Sequence, residues 1–195
     1  MRTKEGNKEK DILEAAIKVF DTNGYHKAKI SKIAEVANVA TGSVYVYFKN
    51  KESILLKIFE ELWEKLYDEL KIVSETQNLS PLERIDAMID LVFDVFTENP
   101  SLATVFVNEQ NHLLRANQYS FTTFYDKFLD LGVDVIKEGI RKGIFSSGID
   151  LDVFRYYLLG GIRNTLQHWA NDPKSLPLNK IRHNIKLLLR HGIQK

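Results

Sequence analysis

Apolar residues recur along this chain at spacings of three and four and nowhere alternate for long, the pattern of amphipathic helices throughout. From about Lys8 to Thr22, Ile12, Leu13, Ala16, Val19 and Phe20 share one face, and Asn23-Gly24 ends the helix. Between Ile30 and Leu55 the rhythm shortens. Ile33, Ala34 and Ala37 form one face of a brief helix, and Asn38 tolerates the left-handed backbone that ends it in a single residue. Val39 fills the angle before a second short helix carrying Val44 and Phe48, for which Thr41 offers a capping hydroxyl. Asn50 opens a long helix to about Glu75, striped by Leu55, Ile58, Phe59, Leu62, Leu66 and Leu70. Ser80-Pro81-Leu82-Glu83 combines a capping box with proline at the first helical position and starts a helix to about Glu98. Asn99-Pro100 breaks the chain before a shorter helix to about Leu114. The next runs from about Tyr119 to Lys142 and stops at Gly143. Asp150 caps another, to about Ala170, and the last begins near Pro177. The fold class is all-α, with about nine helices.

The 195 residues include 44% apolar and 27% charged side chains and no cysteine, which excludes disulfides and thiolate metal sites. No apolar run approaches the roughly 18 residues of a membrane span, and the opening MRTKEGNKEK is too polar for a signal peptide, so a cytoplasmic protein is expected. Charge divides the chain. Residues 1–51 hold ten Lys/Arg against six Asp/Glu, a net of +4, while 52–195 are net −3. A basic head on an acidic body suits a protein whose head alone meets phosphate. The expected domains are therefore a basic, phosphate-meeting head, 1–51, and an acidic helical body, 52–195. No Gly- or Pro-rich linker separates them, so the two should move as levers, with the helix from Lys51 to Glu75 as transmitter.

Val44 and Phe48 occupy one side of the second short helix and leave Ser43, Tyr45 and Tyr47 looking elsewhere. These tyrosines are either partly buried spacers or hydrogen-bond donors to phosphate on a helix that enters the major groove. Gly42, in the first helical turn, permits close backbone approach to a surface. The string ANVATGSVYVYFKNKESIL resembles the DNA-binding signature of the TetR family, with matches at Ala37, Val39, Gly42, Tyr45, Tyr47, Phe48, Lys51, Glu52 and Leu55. It departs from that signature at Asn38, where glycine is usual, and at Ala28-Lys29, where a threonine pair is common. The candidate DNA contacts are thus Lys29, Ser31, Lys32, Thr41, Gly42, Ser43, Tyr45, Tyr47 and Lys51. The resemblance implies a homodimeric repressor of double-stranded operator DNA, its two heads roughly 34–36 Å or more apart on a pseudo-palindrome.

The body is rich in aromatics, which read either as packed core or as the lining of a ligand cavity. Candidate ligand contacts are Trp63, Phe93, Phe96, Phe106, Phe124, Tyr125 and Phe128, with Glu109, Gln110, Arg115, Arg163 and Asn164 as polar partners. Arg163 and Asn164 stand mid-helix in an apolar stretch, where a charge needs a carboxylate or an anionic ligand group. The segments SKIA and YFKNKE resemble TetR-type repressors of fatty-acid degradation, which implies a small hydrophobic effector, long-chain acyl-CoA, that releases DNA; Arg115, Arg163 or Lys127 would meet its anionic end. A multidrug-responsive regulator of the same fold is the alternative, and there Glu109, Asp126 and Asp94 would matter more. The dimer is expected on the last two helices, through Phe154, Tyr157, Leu158, Gly161, Thr165, Trp169, Ile181, Ile185 and Leu188, with Gly160-Gly161 allowing close approach. A remote alternative, a di-iron bundle enzyme, rests on Glu109 and His112 alone, a lone E-x-x-H without the second that such sites need. No cofactor, metal or catalytic set is expected.

Overall fold

The computed structural model describes residues 8–115 and 119–193, without the side chains of 111, 112, 114, 115, 119–122 and 124. Arg115 and Phe124 of the expected ligand contacts, and His112, fall among these and lie outside the described residues. Nine helices run in order among the described residues: α1 (Lys8–Asn23), α2 (Ile30–Val36), α3 (Thr41–Tyr47), α4 (Lys51–Ser74), α5 (Pro81–Glu98), α6 (Pro100–Arg115), α7 (Tyr119–Arg141), α8 (Leu151–Asn171) and α9 (Leu178–Ile193).

The first three helices wrap a small core of Ile12, Ala16, Val19, Phe20, Ile33, Ala34 and Val44, all buried, closed by the start of α4 with Ile54 and Leu55. The corners follow from local chemistry. Gly24 (φ 71°) ends α1 and Asn38 (φ 54°) ends α2, each in the left-handed region. Asn50 accepts from the Ser53 amide at 2.8 Å while its own amide donates to Ser53 Oγ, and Ser80 and Glu83 form the same reciprocal box at the head of α5. Asp150 Oδ1 accepts from the amides of Asp152 and Val153 and caps α8. The start of α3 departs from expectation: Ala40 is the N-cap and has no hydroxyl to offer, while Thr41 is already inside the helix and exposed.

In the body α4 packs along α7 and α5, and α6 lies between α1 and α8. The turn after α7 is tight because Phe145 lays its ring over Gly139; a Cβ there would fall 2.1 Å from Phe145 Cδ2. Charge ties α9 to α5. Asp86, Asp90 and Asp94 stand four apart on α5, facing Arg190, Lys186 and Arg182 four apart on the antiparallel α9. Arg84, 4% exposed, reaches the Ser74 carbonyl at the end of α4 and pairs with Glu138 of α7 at 2.7 Å.

Candidate nucleic-acid interface and body cavity

In the head, Val44 is the one fully buried side chain of α3, so the rest of that helix stands outward. Tyr45, Val46 and Tyr47 are 56%, 79% and 43% exposed, uncovered by any element among the described residues. Thr41 and Gly42 are exposed beside it, Ser43 is half-buried, and Lys29, Ser31 and Lys32 are exposed on the preceding helix; Lys32 is paired with Glu35 at 2.6 Å. A Cβ added at Gly42 would meet nothing within 4 Å, so the fold itself does not require the glycine.

Lys51 is placed differently from its eight companions. Its Nζ donates to the carbonyls of Tyr25, His26 and Ala28 and lies 4.5 Å from the Tyr25 ring centroid. All three ammonium donors serve the α1–α2 loop, which positions α2 and α3. Its partners lie 23 to 26 residues away, beyond the reach of a local sequence pattern.

In the body, Trp63, Phe93, Phe96 and Phe106 are each at most 2% exposed. Phe106 packs 5.0 Å from Phe96 and 5.7 Å from Trp63, and Trp63 stands 4.9 Å from Phe128 and 5.1 Å from Tyr125. The Trp63 ring meets Phe106 and Tyr125 edge-on and the other pairs are tilted, so these rings form a packed cluster. A half-open cavity of about 70 Å³ lies beside it, bordered by α4, α5, α7 and α8 and walled mainly by branched aliphatics such as Leu70, Ile85, Ile89, Val92, Leu129 and Ile162. Of the expected ligand contacts among the described residues, Phe128 alone lines it. The sequence signal that the aromatics obscured is Gly132, mid-helix on α7, whose missing side chain opens the wall. Arg155 is the one charged side chain lining the cavity among the described residues and is held by Asp126 at 3.0 Å and Asp130 at 2.9 Å.

Of the polar candidates, Gln110 is buried, Arg163 half-buried with Nη2 donating to the Val107 carbonyl at 2.9 Å, Glu109 half-buried and Asn164 exposed. Burial pushes the Tyr125 hydroxyl up to about 12, so it remains a donor at neutral pH.

The expected dimer residues divide in two. Phe154, Trp169 and Ile181 are buried in their own chain, because the row Phe154, Leu158, Ile162, Leu166 faces the interior at i, i+4 spacing. Phe154 and Leu158 line the cavity. Thr165 and Ile185 are half-buried. Tyr157 (75%) and Leu188 (70%) remain outside, with Gly161 exposed and open space above it. Val153 and Tyr156 of α8 and Leu187 of α9, which periodicity alone did not single out, are exposed as well.

Among the described residues no helix is long and apolar enough to cross a membrane. Residues 12–58 match the family model of bacterial regulatory proteins of the tetR family, and 78–193 match the tetracyclin repressor-like C-terminal domain. The chain is 30% identical over 189 residues to the fatty acid metabolism regulator protein of Bacillus subtilis, covering 93% of each. The structure of the fatty acid degradation regulator FadR of Bacillus halodurans aligns with a TM-score of 0.83 at 27% identity over 96% of both chains. FadR of Bacillus subtilis in complex with stearoyl-CoA aligns with a TM-score of 0.82 at 28% identity, over 95% of this chain and 99% of that one. The basic helix-turn-helix head, the exposed face of its third helix and the helical body belong together: this chain is a member of the tetR family of DNA-binding transcriptional regulators.

Proposed function

We propose that the protein is a repressor that holds its operator as a homodimer and lets go when a long-chain acyl-CoA enters the body. The observation that carries the effector is an almost wholly apolar cavity in a chain that aligns over 95% of its length with a regulator complexed with stearoyl-CoA. A space of about 70 Å³ has room for only the end of an aliphatic chain, so a longer one must part α5 from α7 and α8. The ligand then favours a wider body. That displacement reaches the head by two routes: α4, which belongs to both parts, and α6, which touches α8 on one side and α1 on the other. Ser101 of α6 donates to Asp21 of α1 at 2.8 Å. To weaken operator binding a hundredfold, the ligand must prefer the wide state by about 2.7 kcal/mol. Two of the three carboxylates that a cationic drug would need are already engaged, Asp94 by Arg182 and Asp126 by Arg155, while Glu109 is half-buried. The role is regulatory, not catalytic, and is exercised on chromosomal DNA in the cytoplasm.

The test is operator release. DNA from beside the protein's own gene is bound to the dimer and palmitoyl-CoA is titrated in, followed by fluorescence anisotropy. Release at micromolar palmitoyl-CoA, with none by free CoA, is the expected result. An intact complex at saturating ligand would remove acyl-CoA as the effector.

A further inference from the structure

The apolar cavity has a polar neighbour at the surface. A cleft of about 470 Å³ lies between α7 and the start of α8, where Asp130 and Lys137 border it with Asp150 and Asp152. Two residues line both spaces, Val133 of α7 and Arg155 of α8, so their side chains are the partition between cavity and cleft. Val133 is half-buried aliphatic wall, and Gly132 beside it adds no side chain to the partition. Arg155 is held differently. Its Nη2 donates to Asp126 at 3.0 Å and its Nη1 to Asp130 at 2.9 Å, across the seam from α8 to α7. The two aspartates stand four apart on one face of α7, so a single guanidinium straps a full turn of that helix. Its side chain is 17% exposed, whereas both carboxylates are 59% exposed. Ion pairs with partners so open to water contribute little to stability and exchange readily. The strap therefore matters less for holding the fold than for where it lies.

We propose that Arg155 is the gate of the effector cavity: its guanidinium leaves Asp126 and Asp130 to admit an aliphatic chain, tail first, from the cleft between α7 and α8. The tail suits the aliphatic walls, and the polar end of the ligand stays in the cleft, where the charged groups are. A ligand seated in this way lies across the partition and keeps the strap open for as long as it is bound. Binding then costs the two ion pairs, and the fraction of protein with the strap open scales both the association rate and the affinity. This rests on the reading of the cavity as the effector's seat and adds the route by which the effector reaches it.

The test is stopped-flow tryptophan fluorescence of the lipid-stripped full-length protein mixed with palmitoyl-CoA or with dodecanol, a neutral chain. Trp63 reports, because it packs 4.9 Å from the cavity-lining Phe128. Wild type is compared with Arg155→Met, with the double variant Asp126→Asn/Asp130→Asn, and with Arg182→Met, which cuts ion pairs between α9 and α5 away from the cavity. Melting temperature and ligand-free operator binding show that each variant is folded. The double variant keeps the arginine and loses only its hold. It and Arg155→Met should both take up dodecanol about three- to tenfold faster and bind it tighter by a similar factor, the worth of two exposed ion pairs. Unchanged dodecanol rates in both variants would overturn the gate. Acceleration confined to palmitoyl-CoA would overturn it as well, since removing negative charge speeds an anionic ligand without any gate. Equal acceleration by Arg182→Met would mean general loosening and have the same force. A wild type that binds neither chain would overturn the cavity as a seat and the gate with it. A wild type that takes up dodecanol but not palmitoyl-CoA would overturn the acyl-CoA reading alone, and faster dodecanol uptake by the variants would then still support the gate.

Discussion

Lys51 and Gly42 belong to one head but have opposite relations to its fold, and substitution separates them. Lys51→Met leaves three loop carbonyls without their ammonium donor, a loss of about 1.5–3 kcal/mol for hydrogen bonds from a charged group. The melting temperature should fall and operator affinity with it. At a salt concentration where binding is still measurable, the slope of log affinity against log salt should be that of the wild type, whereas losing a phosphate-contacting lysine lowers that slope by about one. Gly42→Ala should do the reverse. The added methyl has open space in the free protein, and alanine is the better helix former by up to about 1 kcal/mol, so thermal stability should rise slightly. Operator affinity should fall by an order of magnitude if the backbone there approaches DNA closely; unchanged affinity would exclude that contact. At this scale the sequence was legible wherever the chemistry is local: Asn38 as the left-handed stop, Asn50, Ser80 and Asp150 as caps. Lys51 was not, because what it holds lies across a turn that only the folded head brings near.

Helix α8 carries two apolar faces, and the difference between them explains why periodicity mixed interior residues into the expected dimer face. Phe154, Leu158, Ile162 and Leu166 serve the interior, while Val153, Tyr156 and Tyr157 with Leu187 and Leu188 of α9 face outward. A helix apolar on both sides has no single stripe, so spacing counts residues of either face alike. Gly160 and Gly161 bear on the outward side by a different argument. Neither has an atom within 4 Å of where a side chain would begin, so nothing among the described residues explains a glycine pair mid-helix. Replacing both by alanine should stabilise the isolated helix by about 1 kcal/mol each and weaken the dimer at least tenfold, as read by sedimentation equilibrium. A dimer as tight as the wild type's would move the interface elsewhere.

At the scale of the whole molecule, the body's helices are fastened by charge as well as by apolar packing, and acid should loosen one of those fastenings. Hydrogen bonds from Arg84 and Lys142 hold the Glu138 carboxyl down at about 2. A carboxyl lowered on folding contributes stability above its ordinary range, and that contribution is lost as pH falls from 4.5 toward 2. Glu138→Gln should therefore lower the melting temperature at pH 7, and the gap between variant and wild type should narrow across that acid interval. A gap constant with pH would show that the carboxylate's charge does not matter. The overall architecture was readable because most helices carry local start or stop signals, such as Asn50, Ser80-Pro81 and Asp150. The cavity was not, because a void is set by how side chains from four helices fail to meet, and no one of those helices records it. The unbroken run of α4 from head to body has a consequence for building hybrid regulators. Its first turns bury Ile54, Leu55 and Ile58 and pack against α1. A head grafted onto another body at residue 51 would arrive with an open core, whereas a splice beyond Ile58 would transplant the reading module with its floor in place.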